Sequence, residues 1–222
     1  GTWIVDVVGG NVDEASYLNM TRELIEVFPH AGGEFFIEPD ASSGSYFWGV
    51  NCFHEGVEVA HWPLTGWQID AQFPRFINLP REVTHNTDLG DSIMTAIVLA
   101  PLAEHPVSFP ALHRLRVQEC ERVRALRTEL TKCGARITEE GDTLHVEPSP
   151  DLHGAKIDTY NDHRMAMCFA TLGLAVAGIR LRNPSCVKKT FPNFFQKLAT
   201  ELGVEIRDAE GNVLSGKELF AA

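Results

Sequence analysis

Asp162, His163 and Arg164 stand at the mouth of an apolar stretch, Met165–Ala177, that otherwise reads as buried helix. Three ionisable side chains at that point need a chemical reason, and the pattern recurs. Glu119 and Arg122 open the helical stretch 119–134, Asp91 opens 91–103, and Lys188 and Lys189 precede 192–203. An acid at a helix start has a plain explanation, since it accepts from the free N–H groups of the first turn and suits the helix dipole. Asp91 and Asp162 read first as such caps. A cation there opposes the dipole by about 0.3 kcal/mol or more, and Arg122 and Arg164 both fall in a first turn. Two explanations fit. Each Arg pairs with a neighbouring acid, Arg122 with Glu119 or Glu121 and Arg164 with Asp162, or each joins the free N–H groups to hold a phosphate or carboxylate. Spacing leaves both open. The lysine pair by itself reads as a solvated turn.

Composition narrows the classes. A chain of 222 residues, 44% hydrophobic and 22% charged, can bury a core in one large domain or two small ones. A formal charge of −11 argues against a nucleic-acid partner, which demands a basic face. An anionic small substrate remains compatible if positive charge is gathered locally. The longest apolar run is too short to span a bilayer, and the N-terminus lacks the basic region of a signal peptide. Cys52, Cys120, Cys133, Cys168 and Cys186 are scattered without metal-ligand spacing, which suits reduced thiols in the cytoplasm. His54, His61 and His145 fit no ligand pattern, so no metal is expected.

The elements that must position these residues alternate between helices and strands, giving an α/β or α+β class. Helices are expected at Thr21–Phe28, from about Ser42, at 67–77 with a break at Pro74, and at 91–103, 119–134, 162–178 and 192–203. Strands are expected at Glu34–Pro39, Val57–His61, 107–112, 179–183, 204–206 and 212–214. A hairpin across 135–147 turns at Glu140–Asp142. The segment 77–87 has no period. A unit of helix, strand, helix and hairpin recurs near Ser42, Asp91 and Asp162, with little letter-for-letter repetition.

Four stretches in order, "EPDASSGSYF", "LRVQECERV", "DTYNDHRMAMCF" and "CVKKTFPNFF", resemble the C-terminal half of the 5-enolpyruvylshikimate-3-phosphate synthase family (3-phosphoshikimate 1-carboxyvinyltransferases). The resemblance runs from about Tyr17 to Val204. It implies a fold of pseudo-threefold βαβαββ units with helices packed inside small surrounding sheets. It implies that residues 1–39 are the tail of a first domain and 40–222 most of a second, with the family's N-terminal half missing. The implied reaction transfers the enolpyruvyl group of phosphoenolpyruvate to the 5-hydroxyl of shikimate 3-phosphate, without a cofactor.

By position, the resemblance makes Asp91 the base on the 5-hydroxyl and Glu119 the group exchanging protons at the enolpyruvyl C3. Arg122, Arg164 and Lys189 would clamp phosphoenolpyruvate, with His163 in the same shell. Tyr17, Asp91, Arg114 and Gln118 would border shikimate 3-phosphate. Four positions depart from the family pattern: Gln118 stands for Lys, Arg114 for Asn, Glu14 for Ser, and Glu121 for Asp. Gln donates hydrogen bonds but carries no charge and shuttles no proton. The readings that follow are a working synthase in which Arg114 supplies the lost charge from the same strand end, a divergent non-catalytic anion-binding homologue, or one half of a split enzyme. The isolated chain is expected to be inactive, because its partner half completes both binding sites.

Overall fold

A computed structural model describes residues 15–221. Six α-helices are described: α1 (Ala15–Val27), α2 (Ala41–Trp48), α3 (Ile93–Leu99), α4 (Arg122–Lys132), α5 (His163–Ala175) and α6 (Phe194–Leu202). The strands are short: β1 (Val107–Phe109), β2 (Arg136–Glu140), β3 (Thr143–Glu147), β4 (Lys156–Asp158) and β5 (Arg180–Arg182). Among the described residues no helix is long and apolar enough to cross a membrane.

The core forms where α2, α3 and α5 meet, the three helices that begin the recurring unit. All seven residues of α3 are buried, as expected of a helix that is apolar on every side. A thin polar seam joins the three helices: Ser45 Oγ lies 3.0 Å from Thr95 Oγ1, which lies 3.7 Å from Cys168 Sγ. Close approach of α2 to α3 depends on Gly49, where a Cβ would fall 2.7 Å from Leu99 Cδ1. Two small sheets flank the helices. The hairpin β2–β3 turns at Gly141 (φ 58°), and β1 pairs antiparallel with β3, giving the order β1-β3-β2 with Ser108 opposite His145. β4 and β5 pair in parallel across α5, a crossover that parallel strands require. Mixed helices and small peripheral sheets are the fold class expected.

Several elements differ from expectation. Glu34–Pro39 and Val57–His61 form no ladder, because no described strand lies beside them, and Phe36 and Ile37 stay 90% and 83% exposed. Residues 69–76 form a 3-10 helix that runs through Pro74. The closing strands reduce to one bridge, Arg207 to Val213. β4 gives no sequence signal, since three residues are too few to show alternation. Glu14 lies outside the described residues.

Candidate active site

The starts of α3, α4 and α5 converge, and each brings its charged residues. Tyr160 and Asn161 both adopt left-handed backbone (φ 55° and 57°) and turn the chain so that Asp162 caps α5, accepting from Arg164 N at 2.8 Å. Asp162 is therefore the expected cap, and it is also fully buried. Its second role is to hold Arg122, whose Nε lies 2.7 Å from Oδ2. Arg122 is itself only 2% exposed.

Local pairing fails at both arginines. Arg122 meets neither Glu119 nor Glu121; Glu121 instead caps α4 and bonds Arg116. Arg164 gives its guanidinium to Asp91, with Nη2 2.9 Å from Oδ2, and only its backbone to Asp162. Each cation reaches across to an acid on another element, which (i, i+3) and (i, i+4) reasoning does not reach.

Asp91 is the hub. It does not cap α3, where Ser92 takes the N-cap position. Its Oδ1 accepts from Gln118 Nε2 at 3.4 Å and lies 3.8 Å from Arg122 Nη1, and its backbone N–H donates to Tyr17 Oη at 3.3 Å. Gln118 also accepts from Arg122 Nη1, so it bridges Arg122 and Asp91. Burial pushes the Asp91 carboxyl up, but His85, Arg164 and Arg122 outweigh it and hold the group well below the usual carboxylate range. Burial pushes the Tyr17 phenol far above its ordinary value, and the charges of Asp70 and Asp91 add to that. Gly90 permits this contact, since a Cβ there would fall 2.7 Å from Tyr17 Oη and 2.8 Å from Ile69 Cγ2.

Glu119 pairs with Lys189 at 2.5 Å, and that hydrogen bond holds its carboxyl below the ordinary range. Lys189 ends a 3-10 turn, Pro184–Lys189, and does not adjoin α6 as the sequence suggested. His163 is 5% exposed and its buried Nδ1 lacks a hydrogen bond. Burial first, then the charge of Arg164, pushes its imidazole below the ordinary value, so it is neutral at pH 7. Arg114 lies half-buried on the 3-10 turn Leu112–Arg116, not at a strand end, since β1 stops at Phe109. Arg122, Arg164 and Lys189 thus stand against Asp91, Asp162 and Glu119 in a near-neutral cluster.

Two contributors carry no sequence signal. Asp70 is buried in the 3-10 helix and accepts from Ser42 Oγ, Ser92 Oγ and Ser92 N, tying the starts of α2 and α3 together. His85 lies in the aperiodic segment with Nε2 3.9 Å from Asp91 Oδ1.

The family model of EPSP synthase (3-phosphoshikimate 1-carboxyvinyltransferase) matches residues 79–198, the span that carries most of this cluster. The chain belongs to the EPSP synthase family. A 3-phosphoshikimate 1-carboxyvinyltransferase of Pseudomonas syringae pv. syringae is 42% identical over 91% of this chain and 54% of its own length. Another, of Rhizobium etli, is 35% identical over 93% of this chain and 55% of its own. The chain spans about half the length of the curated relatives it matches. The fold matches EPSP synthase of Acinetobacter baumannii (TM-score 0.56, 20% identity, 77% of this chain and 48% of that one). It also matches the enolpyruvyl transferase NikO of Streptomyces tendae (TM-score 0.55, 21% identity, 81% and 45%).

Proposed function

We propose that this chain is the C-terminal part of an enolpyruvyl transferase. The whole protein would move the enolpyruvyl group of phosphoenolpyruvate to the 5-hydroxyl of shikimate 3-phosphate. The 5-hydroxyl oxygen attacks C2 while C3 gains a proton, and the tetrahedral intermediate then expels phosphate and returns the C3 proton. Asp91 takes the hydroxyl proton. Glu119 exchanges protons at C3, with neutral His163 beside it. Arg164, Lys189 and Arg122 face the phosphate and carboxylate of phosphoenolpyruvate. Tyr17, Gln118 and Arg114 border shikimate 3-phosphate. No cofactor is needed, because the chemistry is proton transfer and anion stabilisation.

The observation that carries this reading is the gathering of Arg122 and Arg164 on one carboxylate, Asp91, within 3.8 Å and 2.9 Å, in a chain whose overall charge is −11. Guanidinium groups gathered in this way offer several donors to the oxygens of a small polyanion. Residues 1–39 belong to a first domain and 40–222 to a second. Supporting this division, α1 buries no residue and Phe36 and Ile37 are exposed, whereas Ala41 is fully covered. The missing N-terminal half is the partner that covers this surface and completes both binding sites.

The test is thermal stabilisation by phosphoenolpyruvate against an equal concentration of chloride. At about 100 times Kd a ligand adds about 2.7 kcal/mol. The shift should vanish in Arg164→Met and Lys189→Met. A shift that survives both substitutions removes the anion site. Release of phosphate by the isolated chain given both substrates would show that the half is sufficient, contrary to the reading.

A further inference from the structure

His85 is the least expected side chain at this site. It is 3% exposed, it lies in the segment without sequence period, and its Nε2 is buried without a hydrogen-bond partner. That nitrogen lies 3.9 Å from Asp91 Oδ1, while Nδ1 lies 3.0 Å from Asn86 Oδ1. The two contacts together constrain the ring. With Asn86 presenting its oxygen, Nδ1 must donate. A neutral ring would then aim the bare lone pair of Nε2 at a carboxylate oxygen, a repulsive contact in a buried place. The imidazolium replaces that repulsion with an attraction between opposite charges 3.9 Å apart.

We infer that His85 is a positioning residue for Asp91, its imidazolium holding the carboxylate as a buried ion pair with Nε2 3.9 Å from Oδ1. The inference rests on reading Asp91 as the group that meets the reacting hydroxyl. Around His85 the charged groups are Asp91 at the start of α3 and Asp70 on the 3-10 helix. The cations Arg122 and Arg164 hold Asp91 from its other sides. Burial pulls the imidazole down, but Asp91, Asn86 and Asp70 together push it above its ordinary value of 6.5. The hold on Asp91 is therefore complete below pH 6.5 and fades as pH rises through the higher value reached in the folded protein.

The experiment is an NMR titration of the whole chain with 15N-labelled histidine, on the parent and on Asp91→Asn. The His85 midpoint should lie above 6.5 in the parent and fall in the variant. Should Asp91→Asn fail to fold, 13C-labelled aspartate in the parent and in His85→Gln decides. The Asp91 carboxyl resonance should show an inflection where His85 loses its proton, and His85→Gln should lack it. A ring neutral throughout pH 5–8, a midpoint unmoved by Asp91→Asn, or no such inflection would overturn the inference. A phosphoenolpyruvate shift that survives Arg164→Met and Lys189→Met, with the His85–Asp91 coupling intact, would remove the proposed function and leave this pairing standing.

Discussion

Replacing Arg122 by Met should be the most damaging single change at this site, and the reason is the acid it leaves behind. Arg122 and Asp162 are 2% and 0% exposed, and the Nε–Oδ2 distance is 2.7 Å. Removing one partner of such a pair leaves a buried charge unpaired, at a cost of about 3–5 kcal/mol. Gln118 also loses a donor, but it is half-buried and can turn to water, so the penalty sits on Asp162. For a chain of this size each kcal/mol moves Tm by about 2–4 °C, giving a loss of about 6–20 °C. Adding Asp162→Asn should restore much of it, because Asn keeps an acceptor for Arg164 N and carries no charge. Urea denaturation of the parent, both singles and the double variant measures the coupling. The pH dependence has a definite sign. Burial raises the Asp162 carboxyl, and Arg122 and the Arg164 backbone N–H outweigh it, so it lies below its ordinary 3.8. The stabilisation is thus complete above pH 3.8 and is lost as pH falls through the lower folded value. In Arg122→Met burial acts with less opposition, Asp162 takes up its proton earlier, and the gap to the parent narrows towards acid. A cost under about 1 kcal/mol, a double variant no better than the single, or a gap constant down to about pH 4 would refute this account.

Gly90→Ala should cost about 1–3 kcal/mol in a thermal melt, because the new Cβ meets Tyr17 Oη at 2.7 Å and Ile69 Cγ2 at 2.8 Å. An unchanged melt would mean that α1 does not sit against Asp91 in solution. Lys189→Met should return the Glu119 carboxyl towards its ordinary 4.5, since the Lys189 hydrogen bond is the main influence lowering it. A Glu119 carboxyl 13C titration that does not move would show that the exposed pair is not formed.

The helices were legible where apolar spacing and a glycine stop agreed, as in α4 with Gly134 (φ 83°) and α6 with Gly203 (φ 66°). Strands were less so, because alternation says that a segment can pair and not that a partner is present. Glu34–Pro39 and Val57–His61 have the pattern and no neighbour. Arg122 and Arg164 could be picked from their awkward positions at helix starts, whereas Asp91 and Asp162 read as plain caps until the family resemblance singled out Asp91. Their pairing could not, because Arg122 meets Asp162 at a separation of 40 residues and Arg164 meets Asp91 at one of 73. Asp70 stood in a segment read as a helix broken at Pro74 and His85 in one without a period, so neither showed its partners. Both earn their roles from tertiary neighbours.

The two explanations that spacing left open at the arginines are compatible in the folded chain. Each arginine is paired with an acid, and the same pairing places it where an incoming anion would compete. That competition bears directly on Asp91. His85, Arg164 and Arg122 together hold its carboxyl well below the usual carboxylate range. An anion that takes over part of those guanidinium bonds weakens the restraint and raises the carboxyl, strengthening the proposed base only once the anion is bound. Gln118 fits the same logic. A lysine at that position would place a further cation near Asp91 Oδ1, where the Gln118 amide now lies at 3.4 Å. It would lower the carboxyl further. Gln118 adds no such charge and keeps the hydrogen bonds that connect Arg122 to Asp91.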